Sequence, residues 1–384
     1  MLSWDEAQRP DALVSTEEII SNPVPFISHQ AIPILKTEQS PSTNSTLISA
    51  SHDNTIKIWN TRSRQIVTTL RGHTGFVNSI ELLSNNRLAS GSEDRTIIIW
   101  SLDYNYFPLI RLESIHQQPV RCLKYFRDHK LISASDDRTI RIINLHNYQV
   151  LNTLLGHENN VECLELLSNN RLASGSRDNT IRVWNIADIE NVEENNNQRQ
   201  LRVFQEHISN IKVLKLVNEN VLLSGSDDGT VRMWDLNNYL EITPELDTDS
   251  PIESMCILDV ERIAIGCLDG SILIYSFQNR QTVLLQDDGN NSVQCIVKLF
   301  NYVNQFASGY GNRKIIIWNY LNKENIRNLE EHLRGVNDMI SIENNELASA
   351  SDDRTIIIWN IDTGEKLDPI LRGHTDDVVS LKFY

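Results

Sequence analysis

"LLSNNRLASGSEDRTIIIW", from Leu82 to Trp100, returns 84 residues later as "LLSNNRLASGSRDNTIRVW", from Leu166 to Trp184. Fifteen of the nineteen positions agree, and self-similarity of this kind decides a fold before any single motif does. Working outward, the segments that end in Trp59, Trp100, Ile143, Trp184, Trp234, Tyr275, Trp318 and Trp359 align, with spacings of 41, 43, 41, 50, 41, 43 and 41 residues. The chain therefore holds eight units. Each well-kept unit runs through a Gly-His or Glu-His pair, an apolar alternation such as VNSIELL (Val77 to Leu83), a Ser-Asn-Asn turn, RLASGS, a turn holding an aspartate, and TIIIW. Short β-branched runs between turn signals predict strands. A fourth strand per unit lies in stretches such as RQIVTTLRGH (Arg64 to His73).

Composition limits the function classes. The 384 residues carry 40% hydrophobic content and a net charge of −16, a balance that opposes binding to phosphate backbones and anionic lipid. Nucleic acid is disfavoured as a partner. The start MLSWDEAQRPD has neither a basic n-region nor an apolar run, and no stretch is long enough to span a bilayer. The expectation is a soluble protein of the cytoplasm, with the nucleus as the alternative. The five cysteines (Cys122, Cys163, Cys256, Cys267, Cys295) are odd in number and form no C-x-x-C pair, which predicts buried reduced thiols.

The Gly-His start, the Ser-x-Ser-x-Asp turn and the closing Trp-Asn or Trp-Asp (Trp234-Asp235) resemble WD40 repeats, over about residues 29 to 384. The resemblance implies an all-β propeller of eight four-stranded blades around a channel. The expected domains are an N-terminal extension over 1–40, partly outside the ring, and the propeller over 41–384. Ser15-Thr-Glu-Glu18 has a capping-box pattern for a short helix, and Asp188 to Gln200 reads as a polar loop extension. VVSLKFY (Val378 to Tyr384) matches a first strand. We expect it to close the ring by joining the first blade, with His374 completing a set with Ser49, Asp53 and Trp59. The competing strand, His29 with Ala31 to Thr37, carries Pro33 where a backbone donor is wanted.

His73, Ser90 and Asp94 invite a reading as a nucleophilic triad. The same set recurs, together with a tryptophan, as His157/Ser174/Asp178/Trp184, His207/Ser224/Asp228/Trp234 and His332/Ser349/Asp353/Trp359. An enzyme needs one active site, so repetition points to structure, and the resemblance implies a hydrogen-bonded tetrad in each blade. No catalytic residue, cofactor or metal ligand set is expected. Units three, six and seven depart from the set, with Ile143 for Trp, Tyr275 and Ile265 in unit six, and Asn312 for Asp in unit seven. Their blades should be the less rigid ones.

The resemblance also implies where partners bind: the third and fifth residues after each histidine, and the residue before each turn aspartate. These positions mark His52, Phe76, Asn78, Glu93, Arg121, Asp136, Glu162, Arg177, Lys212, Asp227, Glu253, Asp352 and Asp377 as candidate partner-binding residues. Seven are acidic, and Arg121, Arg177 and Lys212 are basic and fall in successive units. The expectation is a non-catalytic scaffold, a monomer or a member of a hetero-complex, that takes a basic protein or peptide on this face. The alternative is a substrate receptor of a ubiquitin ligase that reads a phosphorylated motif through Arg121, Arg177 and Lys212. Such receptors carry an adaptor-binding helical domain that about 40 leading residues would not supply.

Overall fold

A computed structural model describes residues 46–103, 105–127, 129–187, 199–242, 246–286, 291–343 and 345–384. The expected extension over 1–40, the capping box, the alternative strand from Ala31 and most of the 188–200 loop lie outside the described residues.

The described chain is a closed ring of eight antiparallel meanders. Blade two shows the plan: an inner strand Val77–Leu83, a second Arg87–Ser92, a third Ile97–Ser101 and an outer Pro108–Leu112, hydrogen-bonded in that order. Turn chemistry sets the hairpins. Asn85 and Asn86, and their counterparts Asn169 and Asn170, all have φ between 49° and 60°. Both central residues of a two-residue hairpin need positive φ to match the strand twist, and Asn tolerates it. At the opposite end, the residue after each turn aspartate, or after Asn312 in blade seven, is left-handed: Asn54, Arg95, Arg138, Asn179, Gly229, Gly270, Arg313 and Arg354.

The third strands are largely buried, Ile97–Ser101 throughout, because every blade is sandwiched between two others. There are accordingly eight apolar clusters, each shared by two neighbouring blades. Trp100 of blade two packs on Ile48, Ile58 and Leu70 of blade one, and Ile143 takes the equivalent place between blades three and two. Tight approaches between blades fall on the glycines of the second strands. A Cβ on Gly175 would lie 2.5 Å from Ile211 Cγ2 of the next blade, and one on Gly91 would lie 2.6 Å from Val120 Cγ1.

Blade one closes the ring. Its outer, third and second strands are Gln65–Arg71, Thr55–Asn60 and Thr46–Ser51, and its inner strand is Val378–Phe383. Ser49 pairs with Leu381 and Leu47 with Phe383, so the C-terminal strand covers an edge that would otherwise be open. Terminal closure is thus the observed arrangement. Blade five departs from four simple strands: its outer strand is two short pieces, Leu240–Glu241 and Leu246–Asp247. Pro244, which lacks an N–H to give to a ladder, falls between them in the sequence.

Candidate functional site: the top face and channel mouth

The repeated histidine, serine and aspartate come together as framework. In blade four Trp184 Nε1 donates to Ser174 Oγ at 2.8 Å, Ser174 Oγ lies 2.7 Å from His157 Nε2, and His157 Nδ1 lies 2.8 Å from Asp178 Oδ2. With the imidazole neutral, one proton order satisfies all four groups: indole to serine, serine to Nε2, and Nδ1–H to carboxylate. Asp178 also accepts the Glu158 N–H, the Thr180 N–H and the Thr180 hydroxyl. The full tetrad recurs in blades two, five and eight. In blade one it is assembled from both ends of the described chain: His374 lies 2.8 Å from Ser49 Oγ and 2.8 Å from Asp53 Oδ2. The serines are fully buried. A nucleophile in that position has no access to substrate.

Protonation follows from this wiring. Burial acts first on the tetrad aspartates and favours their neutral form, but the histidine and threonine bonds outweigh it and hold Asp53, Asp94, Asp137, Asp178, Asp228 and Asp353 well below the usual carboxylate range. Burial lowers His116, His157 and His374 against the pull of their aspartates. Blade three keeps His116, Ser133 and Asp137 without an indole. In blade six Thr248 bonds to the carbonyls of Gly229 and Ser250 instead. Among the described residues, blade seven retains of the tetrad only the bond from Trp318 to Ser308.

The candidate partner-binding positions are brought together by two eight-fold devices. In every blade the N–H of the residue before the aspartate donates to the carbonyl of the third residue after the histidine position. His52 to Asp377, Glu93 to Phe76 and Arg177 to Asn160 are examples, each 2.9 Å long. Secondly, each inner strand begins with a register shift, as between Val77 and Ser79 or between Val120 and Cys122. The extra residue is the fifth after the histidine position: Asn78, Arg121, Glu162, Lys212, Glu253, Gln294, Asn337 and Val379. A bulge re-aims one side chain out of the sheet alternation, which puts three variable side chains per blade at the mouth.

These side chains pair with one another. Arg121 is chelated by Asp136, at 2.6 to 3.0 Å, and reaches Glu93 of blade two at 3.4 Å. Arg177 bonds Glu162 of its own blade, and Lys212 lies 3.8 Å from Asp227, which also accepts from Asn210. All three cations of the expected basic sector are therefore held by carboxylates. Asn78 turns to the Val120 carbonyl of the next blade, and Asn337 bridges Asp352 and the Val378 carbonyl. His52 stacks on Phe76 with ring centroids 4.4 Å apart, and its Nδ1 lies 3.7 Å from Asp377. Glu253 has no hydrogen-bond or ion-pair partner among the described residues, and burial pushes its carboxyl up. Asp377 is pushed up by burial and by Asp352 and Asp376, against His52 and Arg334.

Two sets of residues were missed from the sequence. Asp376 adds a carboxylate beside Asp377. Deeper in the channel wall, Lys382 meets Glu81 at 3.0 Å and Lys124 lies 3.6 Å from Glu165, linking blades one to two and three to four. Glu81 and Glu165 also accept the N–H groups of Tyr125 and Leu216 from following blades. Asp338 accepts the Leu381 and Met339 N–H groups, yet burial pushes its carboxyl up to about 6. The signal was available as alternating charge three residues beyond each bulge, from Lys382 through Glu81, Lys124 and Glu165 to Lys215. The cysteines are free, but only Cys267 is buried, and the other four are half-buried on inner strands. Inner-strand residues face a channel on one side, which a compositional argument does not foresee.

The model of the WD domain, G-beta repeat, matches residues 28–60, 64–101, 109–144, 148–185, 198–235 and 323–360, more than half of the chain. The chain belongs to the WD40 family. The matched WD40 segments do not include 236–322, which holds blade six and the first three strands of blade seven, with their altered tetrads. Among curated WD40-like relatives, it is 41% identical over 83 residues to small ribosomal subunit protein RACK1 of Schizosaccharomyces pombe, covering 20% of this chain and 26% of that one. It is 35% identical over 111 residues to human apoptotic protease-activating factor 1, covering 28% and 9%. Nuclear distribution protein nudF of Aspergillus niger matches at 38% over 101 residues, covering 25% and 23%. The alignments thus span about a quarter or less of these relatives' own length. The crystal structure of the computationally designed Ika8 protein superposes with a TM-score of 0.70 at 27% identity, over 82% of this chain and 92% of that chain.

Proposed function

We propose that this WD40 propeller is a non-catalytic interaction scaffold of the cytoplasm whose top face takes a basic segment of a protein partner. The observation that carries the reading is the division of labour at the mouth. Backbone bonds and bulges repeat in all eight blades, while the side chains they present differ from blade to blade and leave Glu253, Asp352 and Asp377 without a lysine or arginine at ion-pair distance among the described residues. A concave mouth with surplus carboxylates concentrates cations and speeds their arrival. The serine, histidine and aspartate that would serve an enzyme are consumed by the tetrads. Two of the similar proteins are named as a ribosomal subunit protein and a protease-activating factor, names that refer to other macromolecules. Reading a phosphorylated motif would need free guanidinium groups, whereas Arg121 and Arg177 already grip carboxylates.

Affinity purification from the native cell tests this. Proteins captured by the natural chain should be lost with Asp136→Lys, Asp227→Lys and Asp352→Lys combined, with the far-ultraviolet circular dichroism of the folded β protein retained. Undiminished capture would overturn the reading.

A further inference from the structure

Resting on that reading, we propose that recognition centres on one sector of the mouth, where the His52–Phe76 pair and the carboxylates of Asp377 and Asp352 receive an arginine side chain of the partner. Among the other candidate positions of the described residues Glu253 of blade six stands alone, far from any exposed aromatic ring of the set, and the remaining charges are matched: Arg121 with Asp136 and Glu93, Arg177 with Glu162, Lys212 with Asp227. The sector across blades eight, one and two is different. Among the described residues, the Asp352 carboxylate is bonded only by the neutral amide of Asn337, and that of Asp377 meets only the His52 ring, at 3.7 Å. Asp376 stands next to them, and Arg334 feels Asp377 without reaching ion-pair distance. Beside these carboxylates, Phe76 is 39% exposed and stacks on His52 at 4.4 Å with 19° between planes.

The flat face of an aromatic ring attracts a cation, and a planar guanidinium stacks on it while its edge N–H groups bond carboxylates. Phe76, Asp377 and Asp352 supply both elements side by side. Their backbones are fixed by the N–H of His52 on the Asp377 carbonyl and that of Glu93 on the Phe76 carbonyl, each 2.9 Å. Little ordering is left for the partner to impose.

The test measures fluorescence anisotropy of labelled octa-arginine, octa-lysine and octa-citrulline peptides on the full chain at two salt concentrations. Octa-arginine should bind more tightly than octa-lysine, and octa-citrulline should not bind. Phe76→Ala, and Asp352→Asn with Asp377→Asn, should each weaken octa-arginine about tenfold. Phe76→Ala should also remove the preference for arginine over lysine, and Glu324→Gln, exposed on the outer strand of blade seven, should change binding less than about twofold. Octa-arginine binding that survives Phe76→Ala and the double variant, but is lost on reversing Asp136, Asp227 and Asp352, overturns this sector and leaves the acidic-face reading standing. No binding of either basic peptide to the natural chain overturns both.

Discussion

Each tetrad serine is a junction, and its worth depends on how many neighbours need it. In blade five Ser224 accepts from Trp234 and faces His207 Nε2. Among the described residues, Ser308 of blade seven accepts from Trp318 and otherwise bonds only the Ile316 carbonyl, weakly at 3.4 Å. Ser224→Ala orphans two buried groups and should cost about 2–4 kcal/mol, against about 1–2 kcal/mol for Ser308→Ala, since each unsatisfied buried group costs about 1–3 kcal/mol. Urea denaturation of both variants checks the difference. Acid should act through the same residues. The six lowered aspartates and the lowered His116, His157 and His374 all bind protons more readily in the unfolded chain. Stability from the histidines is therefore full above their unfolded pKa and declines as pH falls through about 6, and that from the aspartates is lost below about 4. The raised carboxyls of Glu253, Asp338, Glu346 and Asp377 act with the opposite sign, but they are fewer. Melting temperature measured from pH 8 to 3 should fall in these two stages. A flat profile would contradict the assigned proton order.

Within an element, what matters is how closely a blade approaches the next. Gly175 sits against Ile211 and Cys163, whose nearest atoms lie 2.5 and 2.7 Å from a Cβ placed there. Gly175→Ala should destabilise by about 1–3 kcal/mol through overpacking, although Ala50, Ala134 and Ala350 occupy the equivalent place in blades one, three and eight. The cost is set by the neighbour and not by the strand. Blades six and seven have no histidine tie from the loop before the inner strand to the second strand, and the loop bonds of Thr248 are to backbone carbonyls. Hydrogen exchange should therefore be faster in Ile252–Ile257 and Val293–Lys298 than in Val161–Leu167 and Val336–Ile342. Equal protection in all four strands would show that inter-blade packing alone sets rigidity.

For the whole molecule the decisive event is closure. Eight clusters lie between blades, so no blade has a complete core until both neighbours are in place. Val378–Phe383 contributes Val378 and Leu381 to the cluster between blades eight and one, and hydrogen-bonds Thr46–Ser51. Deleting residues 373–384 should remove this strand and the blade-one tetrad together, expose an edge, and lower the melting temperature by more than any single tetrad substitution. Aggregation should increase as well, because an open edge is a template for pairing with another copy.

The strands, their number per unit and the structural reading of the serine, histidine and aspartate set were all determined by the sequence, because hydrophobic period, turn residues and repetition are local and act within one unit. The doubled stretch also located the change from Glu93 to Arg177 before any geometry was known. Its meaning was decided only by tertiary structure: Glu93 lies against Arg121 of the next blade, and Arg177 folds back on Glu162 of its own. The bulge that re-aims the fifth residue leaves no mark in composition, and the pairing of carboxylates with cations depends on which blades are neighbours. Charges count along a chain but cancel only in space.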